Sequence, residues 1–406
     1  MTRYTHARMP RTMRIVLTAL AALSAFYATA TVWRHNAQAA GLDFYIYFVA
    51  GQLAGREDVA DIYGAEAQER VGEEYFERAQ RSQSELRKYD AGRRRRLDLV
   101  SSPFLYTTLR WVSRDYDRAL TQIHAFILFC FIAGVLLLCR ASRVSWAASL
   151  FLLAALLLWY RGFEADLRVG NVNSMQLLAI GVAVAFPRAR WVGFGLLIAF
   201  KPNLLFVPLL FGVARLVRRE QRALLADVMH GAIGGAIAFI AASISYGTPR
   251  VWLQWVSAAN AFYHRLPTRM ERNVTPALAL IHQYGEWVSY ALAAILLTIV
   301  LVRLKRDDAP LLAGLGILVY LLSANVVWLH YMVLVIPLAV ALLRWRWTAI
   351  VALAALLLIA EEPFEMMVGQ PAFPVEAWLI APALFALFAC GVWKLSDRDP
   401  AAAARG

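Results

Sequence analysis

WVGFGLLIAFKPNLLFVPLLFGV, residues 191–213, is apolar throughout except around Lys201 and Pro202, and how it sits in a bilayer decides the fold. The stretch is long enough to cross a hydrocarbon core of about 30 Å, but a single crossing is a poor solution. Proline at the midpoint removes a helical N–H and collides with the preceding turn. A lysine ammonium in the membrane interior costs on the order of 3 kcal/mol or more. One crossing would also put Arg215, Arg218, Arg219 and Arg222 on the side opposite Arg188 and Arg190, against the bias that keeps basic residues in cytoplasmic loops. Two half-helices that dip in and return remove these objections, because broken helices are tolerated at membrane depth where they line a polar cavity. The stretch is therefore expected to be re-entrant, with Lys201 near its tip.

The same charge rule orders the rest of the chain. Apolar stretches at 15–33, 119–139, 144–160, 174–186, 224–246, 287–302, 310–327, 331–343, 347–360 and 377–393 read as full spans, with both termini cytoplasmic. With 60% hydrophobic residues in a 406-residue chain, the expectation is an all-α transmembrane bundle. It has about ten full spans plus the re-entrant pair. Residues 1–400 form one integral-membrane domain, and 401–406 a short cytoplasmic tail. Residues 34–118 form a long external segment, and 161–173, 247–286 and 361–376 are further external loops. Arg3, Arg8, Arg11 and Arg14 precede the first span. The AQA at 37–39 mimics a signal-peptidase site, but the apolar stretch exceeds a usual leader core, so an uncleaved anchor is expected. The formal charge of +13 follows from arginines gathered in short cytoplasmic turns. No basic stripe lies on a soluble domain, so nucleic acid is not expected as a partner. Cys130, Cys139 and Cys390 lie within apolar spans without metal or redox spacing.

This sorting collects polar candidates on the external face. Asp43 stands in GLDFYIY, residues 41–47, just past the first span, with Tyr45 and Tyr47 beside it. Partial desolvation there favours a carboxylate that accepts a proton; an ordinary helix N-cap is the alternative. GNVN at 170–173 offers Asn171 and Asn173 at a helix start, able to hydrogen-bond a polar ligand or to cap. Arg168 could meet a phosphate bidentately, or pair with Glu164 or Asp166. Lys201 needs an anionic partner such as a phosphate or a buried carboxylate, unless it snorkels to the interface. His330, between Trp328 and Tyr331, can donate a hydrogen bond to a phosphate, shuttle a proton or sit as an interfacial belt residue. The run Arg93–Arg96 lies externally against the charge bias, suited to phosphate headgroups, an anionic glycan or plain solvation. Arg265, Arg269 and Arg272 invite the same readings. Glu361, Glu362 and Glu365 form an acidic cluster, yet no ligand spacing demands a metal.

Taken in order, DFYIYFVAGQLAGREDVADIY at 43–63, SSPFLY at 101–106, GNVN at 170–173, KPNLLFVP at 201–208 and LSANVVWLHYMV at 322–333 resemble the ordered elements of glycosyltransferase family 87. That family belongs to the GT-C class of integral-membrane sugar transferases. The resemblance spans most of residues 41–340, with Asn171 where glutamine is usual and only Pro103 matching well in its element. It implies transfer of a monosaccharide from a polyprenyl-phosphate donor to a glycolipid or glycan acceptor, with inversion. Mannose is the first expectation, another hexose or a pentose the alternative. Asp43 would be the general base. Lys201, His330 and Arg168 would bind the donor phosphate, and Asn171, Asn173, Tyr45 and Tyr47 the sugar or acceptor. No cofactor beyond the lipid-linked donor is implied, and no motif requires a divalent metal. The expected location is a bacterial inner (cytoplasmic) membrane, with the site facing the periplasm. A flippase or transporter for lipid-linked sugars, and an inactive membrane scaffold, are the rival readings. A transferase works in detergent, whereas a flippase needs a sealed vesicle.

Overall fold

The computed structural model describes residues 10–36, 39–56, 58–265, 273–360 and 375–397. Among them the chain is helical, with one isolated antiparallel bridge between Asn273 and Trp328. The 37–39 leader motif lies partly outside the described residues. Arg269, Arg272 and the acidic cluster of Glu361, Glu362 and Glu365 lie wholly outside them.

The apolar helix α1 (Arg11–Asn36) is followed by a segment too polar to cross, which folds as α2 (Leu42–Leu53), α3 (Ala65–Gln80), α4 (Glu85–Arg93) and α5 (Pro103–Thr108). Next come α6 (Tyr116–Ala141) and α7 (Trp146–Trp159), started by the side-chain caps Asp115 and Ser145. The expected loop at 161–173 is largely helical: α8 (Arg161–Val169) bends 62° from α7. Then follow α9 (Asn173–Ala185), α10 (Arg190–Phe200), α11 (Phe206–Val217), α12 (Gln221–Tyr246), α13 (Arg250–Arg265), α14 (Leu278–Tyr284), α15 (Trp287–Val302) and α16 (Ala309–Ser323). A 3-10 helix (Leu329–Val335) runs into α17 (Ile336–Leu342), and α18 (Arg346–Ala360) and α19 (Val375–Ser396) complete the bundle.

Among the described residues, α1, α6, α12 and the 379–396 part of α19 are each long and apolar enough to cross a bilayer. The bent α7–α8 pair adds at most a fifth, and the remaining expected spans are helices of 10–17 residues. Several apolar runs outlast their helices for local reasons. The run at 174–186 stops at Pro187, and the run at 310–327 leaves its helix after Ser323. There Val327 turns instead to Val274 and Asn273, whose backbone N–H and side-chain carbonyl bond it at 2.8 and 3.0 Å. Helix α16 is buried on all sides, as expected of a bundle centre.

Residues 191–213 fold back on themselves. Arg190 at the start of α10 lies over the ring of Phe211 in α11, 4.7 Å from its centroid, and Phe194 meets the same ring at 5.4 Å. A continuous helix would hold residues 190 and 211 roughly 30 Å apart. Lys201 and a 3-10 turn at Pro202–Leu204 form the tip. Glycines let α10 press against α12: a Cβ on Gly195 would sit 2.0 Å from the Gly231 carbonyl oxygen, and one on Gly234 2.2 Å from that of Val192.

Helix α16 separates two chemically distinct ends. Before its first turn, Asp308 takes Arg344 through both oxygens at 2.7 and 2.8 Å, and Arg218 pairs with Asp307 at 2.5 Å. Arg215 bonds Asp227 at 3.2 Å, so the arginine-rich turns share that end. Beyond its last turn, about 22 Å away along the axis, lies His330.

Candidate active site

Four elements distant in sequence meet at the His330 end. Asp43 lies in the first turn of α2, whose N-cap is Gly41 without any side-chain cap bond, so the aspartate does not serve as the cap. Its carboxylate points to other elements. Arg94, just past α4, donates Nη2 to Oδ1 at 2.8 Å, and Asn171 donates Nδ2 to Oδ2 at 2.7 Å. The side chain keeps 20% exposure, so an approaching hydroxyl can reach it.

Asn171 is the hub. Its amide nitrogen also lies 3.3 Å from His330 Nε2. Its oxygen accepts the Val172 N–H at 2.7 Å, the Asn173 amide at 3.2 Å and the Lys201 ammonium at 3.4 Å. These partners fix which way the amide points: oxygen toward the cation, N–H₂ toward the carboxylate. With Asn171 donating, His330 Nε2 must accept, which leaves the ring proton on Nδ1.

Gly170 explains how this turn comes so close to α2. It closes α8 at φ +66°, and a Cβ there would lie 2.5 Å from the Cβ of Phe44, the residue after Asp43. Gly170→Ala is expected to cost about 1–2 kcal/mol of backbone strain alone and to push Asn171 off Asp43. A lowered unfolding temperature in detergent, together with reduced turnover, is the check.

Behind Asn171, Asp166 secures the start of α9. Its Oδ1 takes the Asn173 amide at 2.9 Å, and its Oδ2 takes the Ser174 N–H at 2.9 Å and hydroxyl at 2.6 Å. A carboxylate is well placed at a helix N-terminus, where orphan N–H groups gather. Of the two partners expected for Arg168, the structure therefore leaves only Glu164, at 3.5 Å, and Arg168 is itself 58% exposed outside the cluster.

Lys201 reaches the cluster from the hairpin tip. Besides Asn171, its ammonium meets the Asn173 oxygen at 3.5 Å and the face of Tyr331 at 4.5 Å. Among the described residues no carboxylate lies within ion-pair distance of it, so a half-buried cation is held by neutral partners. An ammonium so placed is able to pair with an anion. The tip is pinned from α5, where the Ser102 hydroxyl donates to the Phe200 carbonyl at 2.8 Å. His330 is set by the 3-10 helix, which is gripped at the α7–α8 bend through the Tyr160 hydroxyl on the Met332 carbonyl at 2.7 Å.

The remaining candidates divide cleanly. Tyr47 lies one helical turn after Asp43, and burial raises its phenol well above the usual range, with Asp43 and Tyr331 adding to the effect. Tyr45 falls on the opposite side of α2, packed edge-on against Tyr116, away from the cluster. Asn173 is fully buried behind Asn171, its amide enclosed by Asp166, Asn171 and Lys201. The sequence reading missed Arg94. The arginine run was visible, but nothing in it distinguishes Arg94 from Arg95, which pairs with Glu73 at 2.5 Å, or from the exposed Arg93 and Arg96. Among the described residues, no three His, Cys, Asp or Glu side chains come together as a metal site.

The model of glycosyltransferase family 87 matches residues 103–326, more than half of the chain. Asn171 and Lys201 fall inside the matched region, and Asp43 and His330 outside it. The chain is also similar to a curated protein of Mycobacterium tuberculosis, the polyprenol-phosphate-mannose-dependent alpha-(1-2)-phosphatidylinositol mannoside mannosyltransferase. The two are 24% identical over 244 residues, covering 55% of each chain, so the match spans little more than half of that relative. No solved structure matches the chain.

Proposed function

This membrane protein belongs to glycosyltransferase family 87, and from that premise we propose that it transfers mannose from a polyprenyl-phosphate donor to a glycolipid or glycan acceptor, with inversion. The observation that carries this reading is the convergence of Asp43, Asn171, Lys201 and His330 on one partly open cluster. The similarity to a polyprenol-phosphate-mannose-dependent enzyme supports the choice of donor.

In this mechanism an acceptor hydroxyl attacks the anomeric carbon from the face opposite the phosphate. Its proton passes to Asp43, and the sugar–oxygen bond breaks with its electron pair moving to the lipid phosphate. Asn171 holds one carboxylate oxygen and Arg94 the other, so the base is aimed before substrate arrives. Lys201 stabilises the charge gathering on the departing phosphate, and His330 offers it the N–H at Nδ1. Arg168 would join them only by leaving Glu164. Tyr47 borders the sugar. The arginine-rich turns lie at the opposite end of the bundle, which supports a cytoplasmic-membrane protein whose site faces the periplasm.

Mass spectrometry of envelope glycolipids and glycans from cells with and without the protein tests this reading. One class should lose a mannose in its absence and regain it with wild-type protein. Identical profiles would contradict it.

A further inference from the structure

Two residues one turn apart on the α4 side hold the base and the two residues before it. Asp90, with no exposed surface, accepts the Gly41 N–H at 3.1 Å and the Tyr116 hydroxyl at 2.5 Å. Burial raises its carboxyl above the ordinary range, while these two donors and Arg94 act to lower it. Arg94 uses its fork twice: Nε donates to the Leu42 carbonyl at 3.2 Å and Nη2 to Asp43 at 2.8 Å. A backbone N–H, the next carbonyl and the following carboxylate are thus all held from α4 and the residue that ends it. Gly41 is closely packed as well, since a Cβ there would meet Leu120 at 2.4 Å. The far end of α4 is tied down too, because Ser84 caps its first turn and donates to Asp117 of α6 at 2.5 Å. The clamp is therefore anchored to α6 through both Tyr116 and Asp117.

We propose that Arg94, backed by Asp90, is the positioning residue of this enzyme, aligning the Asp43 carboxylate with the Asn171 amide so that it faces the acceptor hydroxyl. Both residues precede the family match, which starts at residue 103. A guanidinium suits the task because its planar fork bonds a carbonyl and a carboxylate at once in a fixed geometry, which a freely rotating ammonium does not impose. The proposal rests on Asp43 being the base, and its test separates the two.

Turnover, polyprenyl-phosphate binding and unfolding temperature are measured for Arg94→Gln, Arg94→Lys, Asp90→Asn, Asp43→Asn and the Asp43→Asn/Arg94→Gln pair. Arg94→Gln should lower kcat by about 10²-fold with polyprenyl-phosphate binding unchanged, as a displaced catalytic group does. Arg94→Lys should recover part of that loss. Asp90→Asn, which keeps an acceptor for Gly41 and Tyr116, should show a smaller loss of the same kind. In Asp43→Asn protein, Arg94→Gln should change the residual rate less than about twofold, because it acts through the missing carboxylate. The positioning role is overturned if Arg94→Gln turns over like wild type. It is equally overturned if the substitution costs the same factor with and without Asp43. Should Arg94→Gln fail to fold, Arg94→Lys and Asp90→Asn carry the same comparison. If Asp43→Asn itself is as active as wild type, the assignment of the base falls instead.

Discussion

Asp43→Asn should lower kcat about 10³-fold, the middle of the range for removal of a general base, while polyprenyl-phosphate binding stays at the wild-type level. The substitution keeps shape and volume. Its amide oxygen can still accept from Arg94 or from Asn171, so the turn at Gly41 is not released. What disappears is the ability to take the acceptor's proton. Single-turnover transfer, with bound lipid phosphate quantified in the same sample, separates the two effects. A variant that binds donor and turns over normally would remove Asp43 from the chemistry.

Lys201→Met should weaken donor binding as well as slow transfer. The unbranched side chain fills the same space beneath Asn171 and beside Tyr331, but the ammonium is gone. A hydrogen bond to a charged group contributes about 1.5–3 kcal/mol, so affinity for polyprenyl phosphate should fall by roughly 10- to 100-fold. Polyprenol without its phosphate should bind both proteins equally. Stability should fall only slightly, because no carboxylate among the described residues is left unpaired and the Asn173 oxygen loses only a long 3.5 Å bond. An unfolding temperature close to wild type is the companion result. If phosphate affinity were unchanged and stability fell sharply, Lys201 would be a structural member of the network.

What could be read from the chain depends on how locally each feature is determined. The fold-back of residues 191–213 was legible because lysine and proline in an apolar run, with arginines on both flanks, violate one-span physics within a few residues. Asp43, Lys201 and His330 were visible for the same reason, as charge or polarity where apolar surroundings make it costly. Tyr45 and Tyr47 looked equivalent only until α2 was given a helical phase. At about 100° per residue, Tyr47 returns to the face of Asp43, while Tyr45 turns toward Tyr116. Arg94 and Asp166 were not legible. The role of Arg94 is set by residues more than 50 positions away, and that of Asp166 by the left-handed turn at Gly170 that brings Asn173 and Ser174 back onto its carboxylate. Gly170 could be read as a left-handed helix end, but its neighbour Phe44 comes from a different part of the chain.

The most direct test of the central claim is sugar transfer by purified protein in detergent, given synthetic polyprenyl-phosphate mannose and a glycolipid acceptor. The account predicts one mannose on the acceptor for each polyprenyl phosphate released, with the anomeric configuration opposite to that of the donor and no sealed vesicle required. Donor that binds at the cluster yet yields no product with any glycolipid, or that only moves between leaflets of intact vesicles, would contradict it.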